Sequence, residues 1–154
     1  MAKLLEIQTG KNNPILRKKS VAIKKIDSAL KKFAKDMKMT MVEKDGLGLA
    51  APQVAKNIRM IIVTLNSKTD HTTVTTMLNP IIFDCGEEIV LAEEGCLSLP
   101  GEWMEVPRFK NITVEFMDID GEKHVLKLEN LNARVVQHEV DHLDGVLFVD
   151  RAKA

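Results

Sequence analysis

Apolar residues recur along this chain with two different periods, and the changes between them predict its elements. From about Asp27, the residues Leu30, Phe33, Met37 and Met41 stand three or four apart, which predicts an amphipathic helix with Asp27 or Ser28 as its N-cap. That helix is expected to end before Asp45-Gly46, and Met37 and Met41 at this spacing read as core packing. Asn12-Asn13-Pro14 reads as a turn. Residues 58–65, with Arg59-Met60-Ile61-Ile62-Val63 at their centre, predict a buried strand. Further strands are expected at 81–83, 88–91, 112–117 and 124–128, the last two joined by Asp118-Ile119-Asp120-Gly121, which carries hairpin-turn chemistry. The helical period returns over 131–143. The expected fold is α+β: short strands in antiparallel sheets around a central C-terminal helix, an N-terminal helix alongside, and one domain over 1–154.

Composition changes this picture little. The chain has 154 residues, 45% hydrophobic and 29% charged, as in ordinary globular proteins. With 22 basic and 22 acidic side chains the net charge is zero, which argues against a broadly electropositive, sequence-specific nucleic-acid binder. A local basic stretch remains at Arg17-Lys18-Lys19, Lys24-Lys25 and Lys31-Lys32: a solvated face, or a docking surface for an RNA-rich partner. No apolar run approaches the ~20 residues that span a bilayer, so no membrane partner is expected. Met1-Ala2-Lys3-Leu4-Leu5-Glu6 lacks the apolar core of a secretory signal, so a cytoplasmic address is expected. Cys85 and Cys96 are then expected as free thiols or a metal thiolate.

The predicted C-terminal helix carries His138-Glu139-Val140-Asp141-His142. Two histidines four apart share one helix face and can reach one metal ion, while Glu139 can aim its carboxylate at a metal-activated water. A hydrolytic site of this kind needs a third protein ligand. One class places a His six residues beyond the second His, where this chain has Phe148, and Phe cannot ligate. Another takes a Glu at least ~20 residues downstream, and 12 residues follow His142, so the third ligand is expected upstream. The candidates there are His71, His124, Cys85, Cys96 and several carboxylates. His71 sits in a polar Thr-rich loop, His124 near a hairpin turn and Cys85 at a turn. Cys96 lies in Glu94-Gly95-Cys96-Leu97-Ser98-Leu99-Pro100, where the glycine lets backbone approach a ligand closely. Gly46-Leu47-Gly48-Leu49-Ala50-Ala51-Pro52-Gln53 also permits close backbone approach, but lacks the Lys-Ser/Thr of a phosphate loop.

Three segments, 46–53, 94–98 and 137–145, match in order the motifs GΦGΦAAxQ (Φ apolar), EGCLS and QHExDHLxG, and the chain thereby resembles the polypeptide deformylases. The resemblance implies removal of the formyl group from formyl-methionine at the start of nascent proteins. It implies Cys96, His138 and His142 as ligands of one divalent ion, physiologically Fe(II), with zinc, nickel or cobalt as other occupants. Glu139 would be the acid/base, and the Gln53 amide and the Leu97 N–H would hold the oxyanion. Gly46, Leu47, Gly48, Leu49, Arg134 and Val135 are candidates for holding the substrate methionine and backbone. Arg108, pairing with Glu94 or Asp141, would support the ligands from behind. Nascent formyl-Met chains, and with them the ribosome, are the expected partners, and a monomer is the expected state. Three positions depart from the family's habit: Trp103 replaces an Arg, and Ala55 and Asn130 replace glycines. The alternatives are a metalloprotease cutting internal bonds and a non-catalytic relative with a structural metal.

Overall fold

The computed structural model describes residues 1–152. Asn13 caps a short helix, α1 (Pro14–Arg17), by accepting from the Ile15 N–H. Asp27 caps α2 (Ser28–Glu43), accepting from the Leu30 N–H at 2.9 Å. There follow β1 (Gly48–Ala50), a single 3-10 turn (Ala51–Val54), β2 (Met60–Leu65), β3 (Thr73–Phe83), β4 (Ile89–Cys96), β5 (Leu99–Phe109), β6 (Asn111–Met117), β7 (Lys123–Glu129), α3 (Asn130–Leu143) and α4 (Phe148–Arg151). Antiparallel pairing builds a sheet in the order β1-β2-β3-β6-β7, while β4 and β5 form a separate two-stranded unit.

The sheet is covered on both faces, which is why β2 reads as a continuous apolar run. Ile61, Val63 and Leu65 of β2 pack with Ala133, Val136 and Leu143 of α3. Met60 and Ile62, pointing the other way, pack with Ala34, Met37 and Met41 of α2. A third cluster of Leu16, Leu99, Val106, Leu147 and Phe148 joins the start of the chain, β5 and α4. Glycine at 145 is required by a positive φ of 74° and by the Arg17 carbonyl, which lies where a Cβ would stand. The α+β architecture, both long helices and the 118–121 turn are as expected.

Three strands were misjudged from sequence. The expected strand at 81–83 is only the end of β3, whose first half is the polar run Thr73-Val74-Thr75-Thr76 and whose middle is broken by a bulge at Asn79-Pro80. The expected strand at 88–91 continues as β4 to Cys96. Strand β5 holds Pro100, Gly101 and Pro107, residues tolerated because β5 pairs only with β4. Asn130 does take the left-handed geometry of a glycine position, with φ 55°. No helix among the described residues is long and apolar enough to cross a membrane.

Candidate metal centre

The sheet and β4 meet at α3, and three potential ligands converge there. Ligand atoms of Cys96, His138 and His142 lie within 4.8 Å of one another. Cys96, the last residue of β4, places Sγ 3.4 Å from His142 Nε2. His138 Nδ1 is 2.8 Å from Glu94 Oε1, which leaves Nε2 facing the cluster. Burial and the neighbouring cations hold the His142 imidazole neutral, as a ligand must be. Burial opposes a proton on His138, yet Cys96, Glu139 and Glu94 outweigh it and push His138 up to about 10. A field that strong toward a proton favours any cation between these donors. Among the described residues, His142 Nδ1 and Glu139 Oε1 are buried without a protein partner. A thiolate, two imidazoles and a nearby unpartnered carboxylate fit a divalent ion.

Glu94 organises the far side of His138. Its oxygens accept from Arg108 Nε and Nη2, each at 2.9 Å, and from Arg134 Nη1 at 2.6 Å. Burial raises the cost of its charge, but the bonds from His138 and Arg108 hold the Glu94 carboxyl far below the carboxylate range. Arg108 Nη1 also reaches Asp141 Oδ2 at 2.5 Å, so Arg108 serves Glu94 and Asp141 together. Arg151 grips the same Asp141 at 2.6 and 3.0 Å.

Glu139 faces the opposite way, with Oε2 4.0 Å from His138 Nε2. Burial raises its carboxyl to about 7, so it exchanges protons near neutrality. The carboxyl lies against the backbone of β1. A Cβ on Gly48 would stand 2.6 Å from Glu139 Oε2, so any other residue there would push the Glu139 carboxyl aside. Gln53, in the 3-10 turn, has its carbonyl fixed by the Ala50 N–H at 2.9 Å. Its Nε2 donates to Ser98 Oγ at 3.1 Å and lies 3.5 Å from Cys96 Sγ.

A cleft of about 530 Å³ opens over these groups. Gly46, Leu47, Gly48, Gln53, Leu97, Arg134, Val135 and Glu139 all line it, as does Trp103. Leu49 does not: it is fully buried against α2, since β1 turns alternate residues to opposite faces. Arg134 presents its stem, while its guanidinium is held by Glu94 and the Val90 and Val106 carbonyls. The other upstream candidates lie elsewhere. His71 is exposed, His124 is tied to Asp118 at 2.6 Å, and Cys85 packs at the edge of the α3 core. Sequence reasoning missed three supporting residues. Ser98 receives the Gln53 amide, and Gln137 bridges the Phe109 N–H and carbonyl at 3.0 and 2.8 Å. Ser98 and Gln137 were visible inside the matched motifs, whereas Arg151 sits outside them and carried no signal.

The polypeptide deformylase family profile matches residues 4–154. This chain belongs to the polypeptide deformylase family. It is 41% identical over 139 residues to a peptide deformylase of Picosynechococcus, covering 90% of this chain and 74% of that one. Its fold matches the crystal structure of the Thermotoga maritima peptide deformylase at a TM-score of 0.92 and 38% identity, covering 99% of each chain. A Met-Ala-Ser-bound Acinetobacter baumannii peptide deformylase matches at 0.89 and 35% identity, covering 98% of this chain and 99% of that one. The deformylase is a hydrolase of protein biosynthesis that removes the N-formyl group from nascent formyl-Met polypeptides, and it is a metalloenzyme. These matches do not favour an internal-bond metalloprotease or a non-catalytic relative.

Proposed function

We propose that the whole chain acts as one catalytic domain, with Cys96, His138 and His142 holding Fe(II) and Glu139 moving the proton. The observation that carries this reading is the buried Glu139 Oε1, which has no protein partner beside the ligand cluster. A divalent ion there supplies Lewis-acid activation of water and of the formyl carbonyl. The thiolate and two imidazoles accept iron, zinc, nickel or cobalt alike. Iron as the physiological occupant is what membership of the family suggests, and a thiolate on it would be oxidisable. Glu139 takes the proton of the attacking water and delivers it to the departing amine. Negative charge developing on the formyl oxygen is met by Gln53 Nε2, aimed by the Ala50 and Ser98 contacts, and by the Leu97 N–H. Each such donor contributes about 3 kcal/mol in comparable sites.

Glu94 fixes the His138 ring, and Arg108 and Asp141 fix Glu94 and the helix behind it. The backbone at Gly46 and Gly48 pairs with the extended substrate, independent of its sequence, while Leu47, Val135 and the Arg134 stem wall the methionine side chain. The Met-Ala-Ser peptide bound by the Acinetobacter relative supports a product of this kind in the cleft. The deformylase works as a cytoplasmic monomer, meeting its substrates at the ribosome. Hydrolysis of formyl-Met-Ala-Ser by iron- and nickel-loaded protein, with metal analysis and Glu139→Ala as control, tests this. Loaded protein no faster than the Glu139→Ala variant would overturn it.

A further inference from the structure

The zero net charge conceals a strong segregation. Residues 1–68 hold 15 of the 22 basic side chains and only 5 of the 22 acidic ones. Much of that excess is gathered on α2 and the segment before it. Lys24, Lys25, Lys31, Lys32, Lys35 and Lys38 are all exposed. On α2, Lys31, Lys35 and Lys38 follow the i, i+4, i+7 spacing of one stripe, spanning ~10 Å along the axis. Like charges at that spacing repel, and a free-standing helix face relieves this with acidic neighbours. Here the one acid within the stripe's turns, Asp36, is turned inward, where it accepts from Lys32 Nζ and the Lys3 N–H. Among the described residues, Lys24, Lys25, Lys31, Lys35 and Lys38 have no ion-pair partner. The helix also has no acid in its first turn and no base in its last, the reverse of what its dipole prefers. An unanswered charge pattern costs stability unless an external anion answers it.

The place of this face is equally specific. From its C-cap, Lys44, α2 leads through Asp45 directly into the cleft lining at Gly46, Leu47 and Gly48. Across the cleft, exposed Glu93 and Glu102 line the β4–β5 side with acidic groups. A large anion is therefore attracted to one flank of the cleft and repelled from the other.

We propose that the lysine face of α2, with Lys24 and Lys25, is a docking surface for the phosphate backbone of structured RNA, reading charge and not sequence. A row of like charges along a helix suits a regular polyanion better than a single small anion, because several contacts are made at once. RNA is favoured as the occupant because the substrates emerge from an RNA-rich machine, and to that extent the proposal rests on the co-translational reading above.

Fluorescence anisotropy of a labelled RNA duplex of about 20 base pairs with the metal-loaded full chain tests it. With about four lysine–phosphate contacts, affinity falls ~10²-fold between ~50 and ~200 mM KCl. Replacing Lys24, Lys31, Lys35 and Lys38 by Gln lowers the magnitude of the salt slope by about 1 per lysine and leaves hydrolysis of soluble formyl-Met peptide unchanged. The control variant replaces Lys68 and Lys127, exposed lysines outside α2 and the segment before it, by Gln and binds like the unsubstituted chain. Absence of duplex binding, an equal loss in the control, or tighter binding to phosphatidylserine vesicles than to the duplex would each overturn the proposal. Loss of peptide hydrolysis with RNA binding intact would count against the enzymatic reading instead.

Discussion

Two buried glutamates stand on opposite sides of the His138 ring, and their surroundings are opposites. Glu94 accepts four hydrogen bonds from Arg108, Arg134 and His138, and its charge is held firmly. Glu139 is as deeply buried, yet Oε1 has no protein partner and the carboxyl is raised to about 7. The same residue type is satisfied at one site and left open at the other. A satisfied carboxylate orients a ligand and cannot exchange its proton near neutrality; an unsatisfied one can, at a cost to the fold.

The comparison breaks first at Glu139. Glu139→Gln keeps the shape but removes the proton acceptor, and kcat/KM with formyl-Met peptide is expected to fall by about 10²–10⁴. The same substitution is expected to stabilise the metal-free protein. A carboxyl whose folded pKa is raised contributes full stability below its unfolded value and loses it as pH climbs. The advantage of Gln therefore grows between pH 4.5 and about 7, and thermal melts across that range check it. A variant that is both inactive and less stable at pH 7 would mean that Glu139 has a structural partner.

On the other side the sign reverses. Arg108→Met removes three of the bonds to Glu94 and Asp141 from a buried position. Breaking a buried pair costs about 3–5 kcal/mol, and Arg134 and Arg151, which remain on the same carboxylates, favour the lower end. A fall in Tm of about 6–12 °C is expected, with activity of the surviving folded, metal-loaded protein reduced far less than by Glu139→Gln. Gly48→Ala then probes the boundary between the two regions. Its methyl would meet the Glu139 carboxyl, so the carboxylate must shift, and a displacement near 1 Å costs about 10²-fold in rate. Melting within a few degrees of the unsubstituted chain, with kcat reduced, would locate the effect in positioning.

Both glutamates were legible in the sequence, because the motifs name the atoms that the chemistry needs: two imidazoles on one helix face, a carboxylate beside them and a thiolate after a glycine. The long helices were legible because their apolar period is strong. What stayed hidden depended on partners distant in sequence. Nothing at Arg134 announced that its guanidinium would close the Glu94 cluster, 40 residues away. Leu49 was a candidate pocket wall beside Leu47, but Leu47 precedes the three-residue strand β1, in which Gly48 turns to the cleft and Leu49 to the core. Strand β5 was obscured by Pro100, Gly101 and Pro107, breakers in a central strand but harmless in a two-stranded unit.

The smallest expected effect concerns the frame that aims Gln53. Ala55 follows the 3-10 turn with φ 64° and ψ 27°, left-handed geometry in which its methyl crowds the carbonyl oxygen. Its N–H closes the turn on the Pro52 carbonyl at 3.0 Å, so the conformation is enforced by the turn rather than chosen by the residue. Ala55→Gly relieves that crowding but adds freedom to the unfolded chain, and the two effects oppose each other. The relief is worth about 1–2 kcal/mol and the entropy about 0.4–1, so a net gain below about 1.5 kcal/mol is expected. Urea unfolding measures it as a higher midpoint at unchanged slope. Since the turn is already held by that hydrogen bond, kcat should not move. A change in kcat would show that the alanine's strain reaches Gln53, the proposed oxyanion donor.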